Sequence, residues 1–152
     1  MSPLKIIIHC SASRNGRPLP IDVIRQDHIK ARGWKDVGYH IVIQPDGTVE
    51  KGRPLNVAGA HCEGENQHSI GICLIGTDRF TKAQFQALEY QLDSLLLTFN
   101  AIAHYAIYTH NQFPSAQRQG KVCPSMEINR LLCWYHLKDD NAIKPYILKE
   151  TA

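Results

Sequence analysis

Two histidines and one cysteine are the residues of this chain whose types and positions point most directly to chemistry. His9 ends the apolar run Leu4-Lys5-Ile6-Ile7-Ile8, and His110 ends a second run, Tyr105-Ala106-Ile107-Tyr108-Thr109. Cys123 follows thirteen residues after His110, in Gly120-Lys121-Val122-Cys123-Pro124-Ser125. Two imidazoles and one thiolate make a three-ligand zinc site with a fourth position left for water, which is the layout of a catalytic rather than a structural zinc. Spacing alone does not select these three among eight His and five Cys. Their position at strand ends selects them, together with the sequence around each. Cys123 stands in a polar loop beside Lys121, just before an expected helix started by Pro124. A nearby cation and a helix N-terminus both favour the thiolate, the form that binds zinc.

The other cysteines have plainer readings. Cys10 is adjacent to His9 in an extended segment, so its side chain points to the opposite face. Cys73 and Cys133 sit among apolar neighbours and read as core. The odd count and the spacings show no disulfide framework, and the lack of a CxxC argues against a four-cysteine zinc module. All five read as reduced thiols of a protein folded in the cytoplasm. Met1-Ser2-Pro3 leads into a strand-like run too short for the core of a secretory signal. No stretch approaches the roughly 18 apolar residues of a membrane span. The expectation is synthesis in the cytoplasm without a signal peptide; any substrate outside is reached after release or through another export system. At 152 residues the chain suits one domain. The net charge of +3 fits a polyanionic surface such as a cell wall, and no Lys/Arg block calls for a nucleic acid. No membrane insertion is expected, and the chain is expected to be a monomer.

The elements that must position these residues alternate. Residues 4–9 read as a buried strand, and 21–32 as a helix with Ile21, Ile24, His28 and Ile29 on one face and Gly33 as its stop. Residues 38–43 and 48–51 read as a hairpin about Pro45-Asp46-Gly47. A glycine-rich loop spans 52–64 and a strand follows over 69–75. Thr81 caps a helix over 82–99, whose Phe85, Leu88, Leu92 and Leu95 recur at helical spacing. Residues 105–109 read as a strand, 111–122 as a long polar loop, and 124–137 as a last helix. The tail from Lys138 is charged, contains Pro145, and is expected to pack loosely. The alternation predicts a single α/β domain over 1–137, a central mixed sheet flanked by helices on both faces, followed by a tail over 138–152.

Five segments in this order carry a resemblance: Ile8-His9-Cys10-Ser11-Ala12, Asp36-Val37-Gly38-Tyr39-His40, Pro45-Asp46-Gly47-Thr48-Val49-Glu50, His68-Ser69-Ile70-Gly71-Ile72-Cys73-Leu74 and Lys121-Val122-Cys123-Pro124-Ser125. Together they resemble the zinc-dependent N-acetylmuramoyl-L-alanine amidases of the T7 lysozyme type, relatives of the peptidoglycan recognition proteins. The resemblance runs from about Leu4 to Leu137 and implies the same mixed sheet. It implies that His9, His110 and Cys123 ligate Zn2+, that Tyr39 and Lys121 are catalytic, and that His61 contacts substrate in the cleft. Arg53, Asn66 and Ser69 are further substrate-cleft candidates. The activity implied is hydrolysis of the amide bond between N-acetylmuramic acid and L-alanine in peptidoglycan, the work of an endolysin that degrades cell wall. The loop from Asn111 to Val122 is longer than that of the T7 enzyme, and the N-terminal arm is shorter.

Two other classes compete. One is a non-catalytic peptidoglycan-binding module; the presence of Cys123, Tyr39 and Lys121 favours the enzyme. The other is a regulator of a phage-type RNA polymerase, against which the short arm argues. A cysteine hydrolase using Cys10 or Cys62 lacks a recognisable nucleophile turn.

Overall fold

Ile6, Ile7 and Ile8 are all fully buried, which three successive strand residues achieve only when both faces of the sheet are covered. They form the middle of β1 (Lys5–Cys10). In the computed structural model, which describes residues 1–150, β1 pairs in parallel with β4 (Ser69–Leu74) on one side and β5 (Ile107–Thr109) on the other. β2 (Ile41–Ile43) continues the sheet in parallel beyond β4, and β3 (Val49–Lys51) closes that edge as the antiparallel hairpin partner of β2. The strand order is β3-β2-β4-β1-β5, a mixed sheet.

α1 (Ile21–Arg32) carries the chain from β1 towards β2, and α2 (Lys82–Thr98) carries it from β4 back towards β5. Right-handed crossovers that run in opposite directions put their helices on opposite faces. Ile21 and Ile24 of α1 accordingly pack over Val42, Cys73 and Ile75. Phe85, Leu88 and Leu92 of α2 cover Ile8, Ile72 and Leu74 on the other face. α3 (Pro114–Arg118) and α4 (Ile128–Leu137) follow β5, and Leu131 and Trp134 of α4 complete that second layer. The architecture is the expected α/β domain with helices on both faces. Thr81 caps α2 as expected: its side chain accepts from the Gln84 N–H while Gln84 reaches back to the Thr81 N–H.

Three expectations change. The polar loop after His110 contains α3, a helix of five residues started by Pro114, too short to show a periodic apolar face. The last helix begins at Ile128, not Pro124; the Glu127 N–H at its start is held by the Tyr146 hydroxyl at 3.0 Å. The tail packs rather than hangs loose. Ala142, Ile143 and Tyr146 are buried in the main core. Phe80 and the tail exchange main-chain hydrogen bonds, Phe80 N–H to Tyr146 O and Leu148 N–H to Phe80 O, both 2.7 Å. Residues 151–152 lie outside the described residues. Among the described residues no helix is long and apolar enough to cross a membrane.

Candidate metal centre

Strand alternation decides where His9 points. Ile6, Ile8 and Cys10 enter the core beneath α2. His9 therefore projects to the α1 face, at the carboxyl end of a central parallel strand, where loops gather and sites form. Its ring lies 4.4 Å from that of His110, 4.9 Å from that of His61 and 5.2 Å from that of Tyr39, centroid to centroid. His110 opens the tight turn that follows β5. Asn111, next in sequence, straps this turn to the Cys123 loop. Its N–H donates to Cys123 O at 3.0 Å and its Nδ2 to Pro124 O at 2.9 Å. Two segments thirteen residues apart are thus held side by side.

The donor atoms of His9, His110 and Cys123 all lie within 4.8 Å of one another. Ligand bonds of about 2.0–2.3 Å at tetrahedral angles place two zinc donors about 3.5 Å apart, so a shift of about an ångström closes the set. His9 spends Nε2 on the Nδ1 of His61, 2.9 Å away, which leaves Nδ1 as the nitrogen available to a metal. The donors open on a cleft of about 350 Å³ whose walls include Tyr39, His61, Lys121 and Trp34.

Burial, reinforced by the nearby Lys121 charge, brings the His110 pKa down to about 4. Burial, then the His61 and His110 charges, holds His9 well below the usual range. Both rings are therefore neutral at pH 7, the ligand form. Cys123 behaves differently from the expectation. Contact with the Cys10 thiol, then burial, pushes its pKa up, and no α-helix begins until Ile128. The Cys10 N–H donates to Cys123 Sγ at 2.9 Å, and the Cys123 thiol donates to Cys10 O at 3.3 Å. Without metal Cys123 keeps its proton, which a metal bound there would have to displace.

Tyr39 stands half-buried beside His9. Burial raises its phenol pKa well above the usual value, so it remains a hydrogen-bond donor. Lys121 is exposed on the cleft rim, where its N–H to Ala116 O bond of 2.9 Å ties it to α3. Both line the cleft onto which the three donors open.

The four substrate-cleft candidates fare differently. His61 lines the cleft but is only 8% exposed. Burial, reinforced by the His40 charge, takes its pKa down to about 3. Both its ring nitrogens are engaged, Nδ1 with His9 and Nε2 with Ser69 Oγ at 3.2 Å. Ser69 has no exposed surface, so it does not reach a substrate. Asn66 Oδ1 accepts the His61 and Cys62 N–H groups at 2.9 and 3.0 Å, clasping the loop. Arg53 donates to the Val37 and Ala58 carbonyls at 2.8 and 2.9 Å. Asn66, Arg53 and Ser69 hold the glycine-rich loop in place rather than lining the cleft.

His28, Arg32 and Trp34 form a cleft wall that the sequence did not single out. His28 Nδ1 accepts the Gly38 N–H at 2.9 Å, its ring meets Trp34 edge-on at 4.8 Å, and the Arg32 guanidinium lies over Trp34 at 5.1 Å. Gly33 in left-handed conformation ends α1 and turns Trp34 back towards the cleft. That glycine was the available signal; the direction of the turn was not.

Residues 1–126 match the N-acetylmuramoyl-L-alanine amidase family. The endolysin of Escherichia phage T7 is 38% identical over 133 residues, 82% of each chain. Peptidoglycan-recognition protein SC2 of Drosophila melanogaster is 34% identical over 119 residues, 76% of this chain and 62% of that protein. The solved structure of the amidase LysC from Clostridium intestinale superposes with a TM-score of 0.75 at 27% identity, over 90% of this chain and 86% of that one. With residues 1–126 matched by the family and a relative 38% identical over 82% of each chain, the chain belongs to the N-acetylmuramoyl-L-alanine amidase family.

Proposed function

We propose that this amidase hydrolyses the bond between the lactyl carbonyl of N-acetylmuramic acid and L-alanine with His9, His110 and Cys123 holding one zinc ion. The observation that carries the reading is the convergence of two neutral imidazoles and one thiol at the floor of an open cleft. Bound zinc supplies Lewis acidity, which acidifies water and polarises an amide carbonyl. The protein's own groups divide the remaining work. Lys121, on the rim, offers a positive charge to the oxygen that becomes negative as the carbonyl is attacked, a role worth about 3–4 kcal/mol per donor in well-studied sites. Tyr39 keeps its proton and can donate a hydrogen bond or pass the proton to the leaving amine. The substrate is peptidoglycan, which the enzyme reaches after release or through another system.

Mass spectrometry of digested murein tests the bond assignment. The reading expects intact stem peptides with free L-alanine amino termini and unbroken glycan strands. New reducing sugar ends without new amino termini would make it a glycosidase, whose usual paired carboxylates are absent from this cleft wall.

A further inference from the structure

His61 occupies a slot built for its ring. A Cβ added at Gly71 would sit 2.6–2.8 Å from the His61 Cγ, Cδ2 and Nδ1 atoms, and one at Gly59 would sit 2.6 Å from Cδ2. Only glycine at both positions admits the ring. Its main chain is clasped by Asn66, and its two nitrogens bridge His9 and Ser69.

The direction of every hydrogen bond along this chain of groups is set from its far end. Ser69 Oγ donates to the Glu65 main-chain carbonyl at 2.8 Å, and a carbonyl can only accept. Ser69 Oγ therefore accepts from His61 Nε2–H. A neutral imidazole with its proton on Nε2 has a bare Nδ1. That bare Nδ1 accepts from His9 Nε2–H, and His9 in turn has a bare Nδ1. We infer that the Glu65 carbonyl, Ser69 and His61 form a positioning relay that locks His9 in the tautomer presenting Nδ1 to the metal, so that His61 serves zinc rather than substrate. The inference rests on the zinc reading above. It assigns His61 a role different from the substrate contact expected from the sequence. It also gives buried Ser69, at the start of β4 beside β1, a reason to carry a hydroxyl.

A metal-bound histidine whose second nitrogen is held keeps its orientation and its basicity, and loss of such a partner typically costs about 10–100-fold in metal affinity. The test is zinc affinity measured by competition with a chromogenic chelator, on wild type, His61→Ala, His61→Asn and Ser69→Ala. His61→Ala should weaken zinc binding about 10–100-fold. His61→Asn should restore most of it, because Asn Oδ1 occupies the place of His Nδ1 and accepts the same proton. Ser69→Ala should weaken it by a smaller factor. At saturating zinc, KM for a muramyl peptide should be unchanged in His61→Asn. A rise in KM with zinc affinity unaltered would make His61 a substrate contact and overturn the relay.

Nitrogen-15 spectra of the histidine rings in the metal-free wild type give a readout that does not depend on any variant folding. They should show His9 and His61 both protonated on Nε2. A proton on His9 Nδ1 would overturn the inference directly. Failure of the parent reading looks different: the wild type itself would bind no zinc, or Cys123→Ser would bind it as tightly as wild type.

Discussion

Gly71→Ala probes the slot that seats His61. The added methyl would meet three atoms of one rigid ring at 2.6, 2.7 and 2.8 Å, distances that real Cβ atoms do not show. The strand cannot slide aside easily: the Gly71 N–H donates to His40 Nδ1 at 3.0 Å, and Gly71 O accepts the His40 N–H at 3.0 Å. The ring cannot move without giving up His9 and Ser69. Two routes are open, and they cost similar amounts. Forcing the methyl in costs about 1–3 kcal/mol. Expelling the ring leaves buried polar groups unpaired, at about 1–3 kcal/mol. Against either stands a gain of about 0.4–1 kcal/mol from stiffening the unfolded chain. The net is a destabilisation of about 1–2 kcal/mol, or about 2–8 °C in melting temperature for a domain of this size. Thermal unfolding of the chelator-treated protein by circular dichroism measures it, which keeps zinc linkage out of the number. Gly33→Ala is the control. Its φ of +68° costs about 1–2 kcal/mol of left-handed strain, yet nothing lies within 4 Å of the added methyl, so the candidate metal centre is untouched. A Gly71→Ala variant that melts at or above wild type would refute the packing argument, because only the clash opposes the entropic gain.

Other outcomes follow from the same structure. Deleting residues 138–152 removes Ala142, Ile143 and Tyr146 from the core and frees the start of α4; the truncated chain should be unfolded or aggregated by size-exclusion chromatography, and a soluble chain with native circular dichroism would show that the tail is dispensable. Lys121→Ala and Tyr39→Phe should retain zinc and fold while losing turnover far more than substrate affinity, since both are proposed to act on the transition state; steady-state kinetics with wild-type kcat would remove the role of the variant concerned. Acid should destabilise the metal-free protein through its buried histidines. The folded-state values of about 3 for His61 and about 4 for His110 lie below the usual 6.5. Between these limits the unfolded chain binds more protons than the folded one, so stability is intact above about pH 6.5 and declines as pH falls towards 3, by up to about 1.4 kcal/mol per pH unit for each histidine. Urea titrations across that window would show a flat profile if these rings were not buried neutral.

The sequence made the scaffold legible because its signals were local and periodic. Three isoleucines marked β1, the Thr81 and Gln84 pair marked the start of α2, and Gly33 marked the end of α1. Two of the three candidate metal donors were legible because His9 and His110 each end an apolar run, and such ends gather at one edge of a parallel sheet, while Cys123 stood out as the cysteine of a polar, lysine-bearing loop. What stayed hidden depends on contacts between distant segments. The tail looked loose by composition, yet Phe80 binds it on both sides. Ser69 and Arg53 looked like substrate-cleft residues, but their partners are a histidine ring eight positions away and carbonyls of a loop that only the fold brings near. Cys123 looked activated by a helix start that the structure moves to Ile128, and its real neighbour is Cys10, 113 residues away.

The X-ray absorption spectrum at the zinc edge tests the central claim most directly, because it counts the atoms around the metal by element. One zinc per chain is expected, with two imidazole nitrogens at about 2.0–2.1 Å, one sulfur at about 2.3 Å and one further light atom. Cys123→Ser should lose the sulfur shell together with most of the bound metal. A shell without sulfur, or one with two sulfurs that draws in Cys10, would contradict the assignment of His9, His110 and Cys123 as the ligand set.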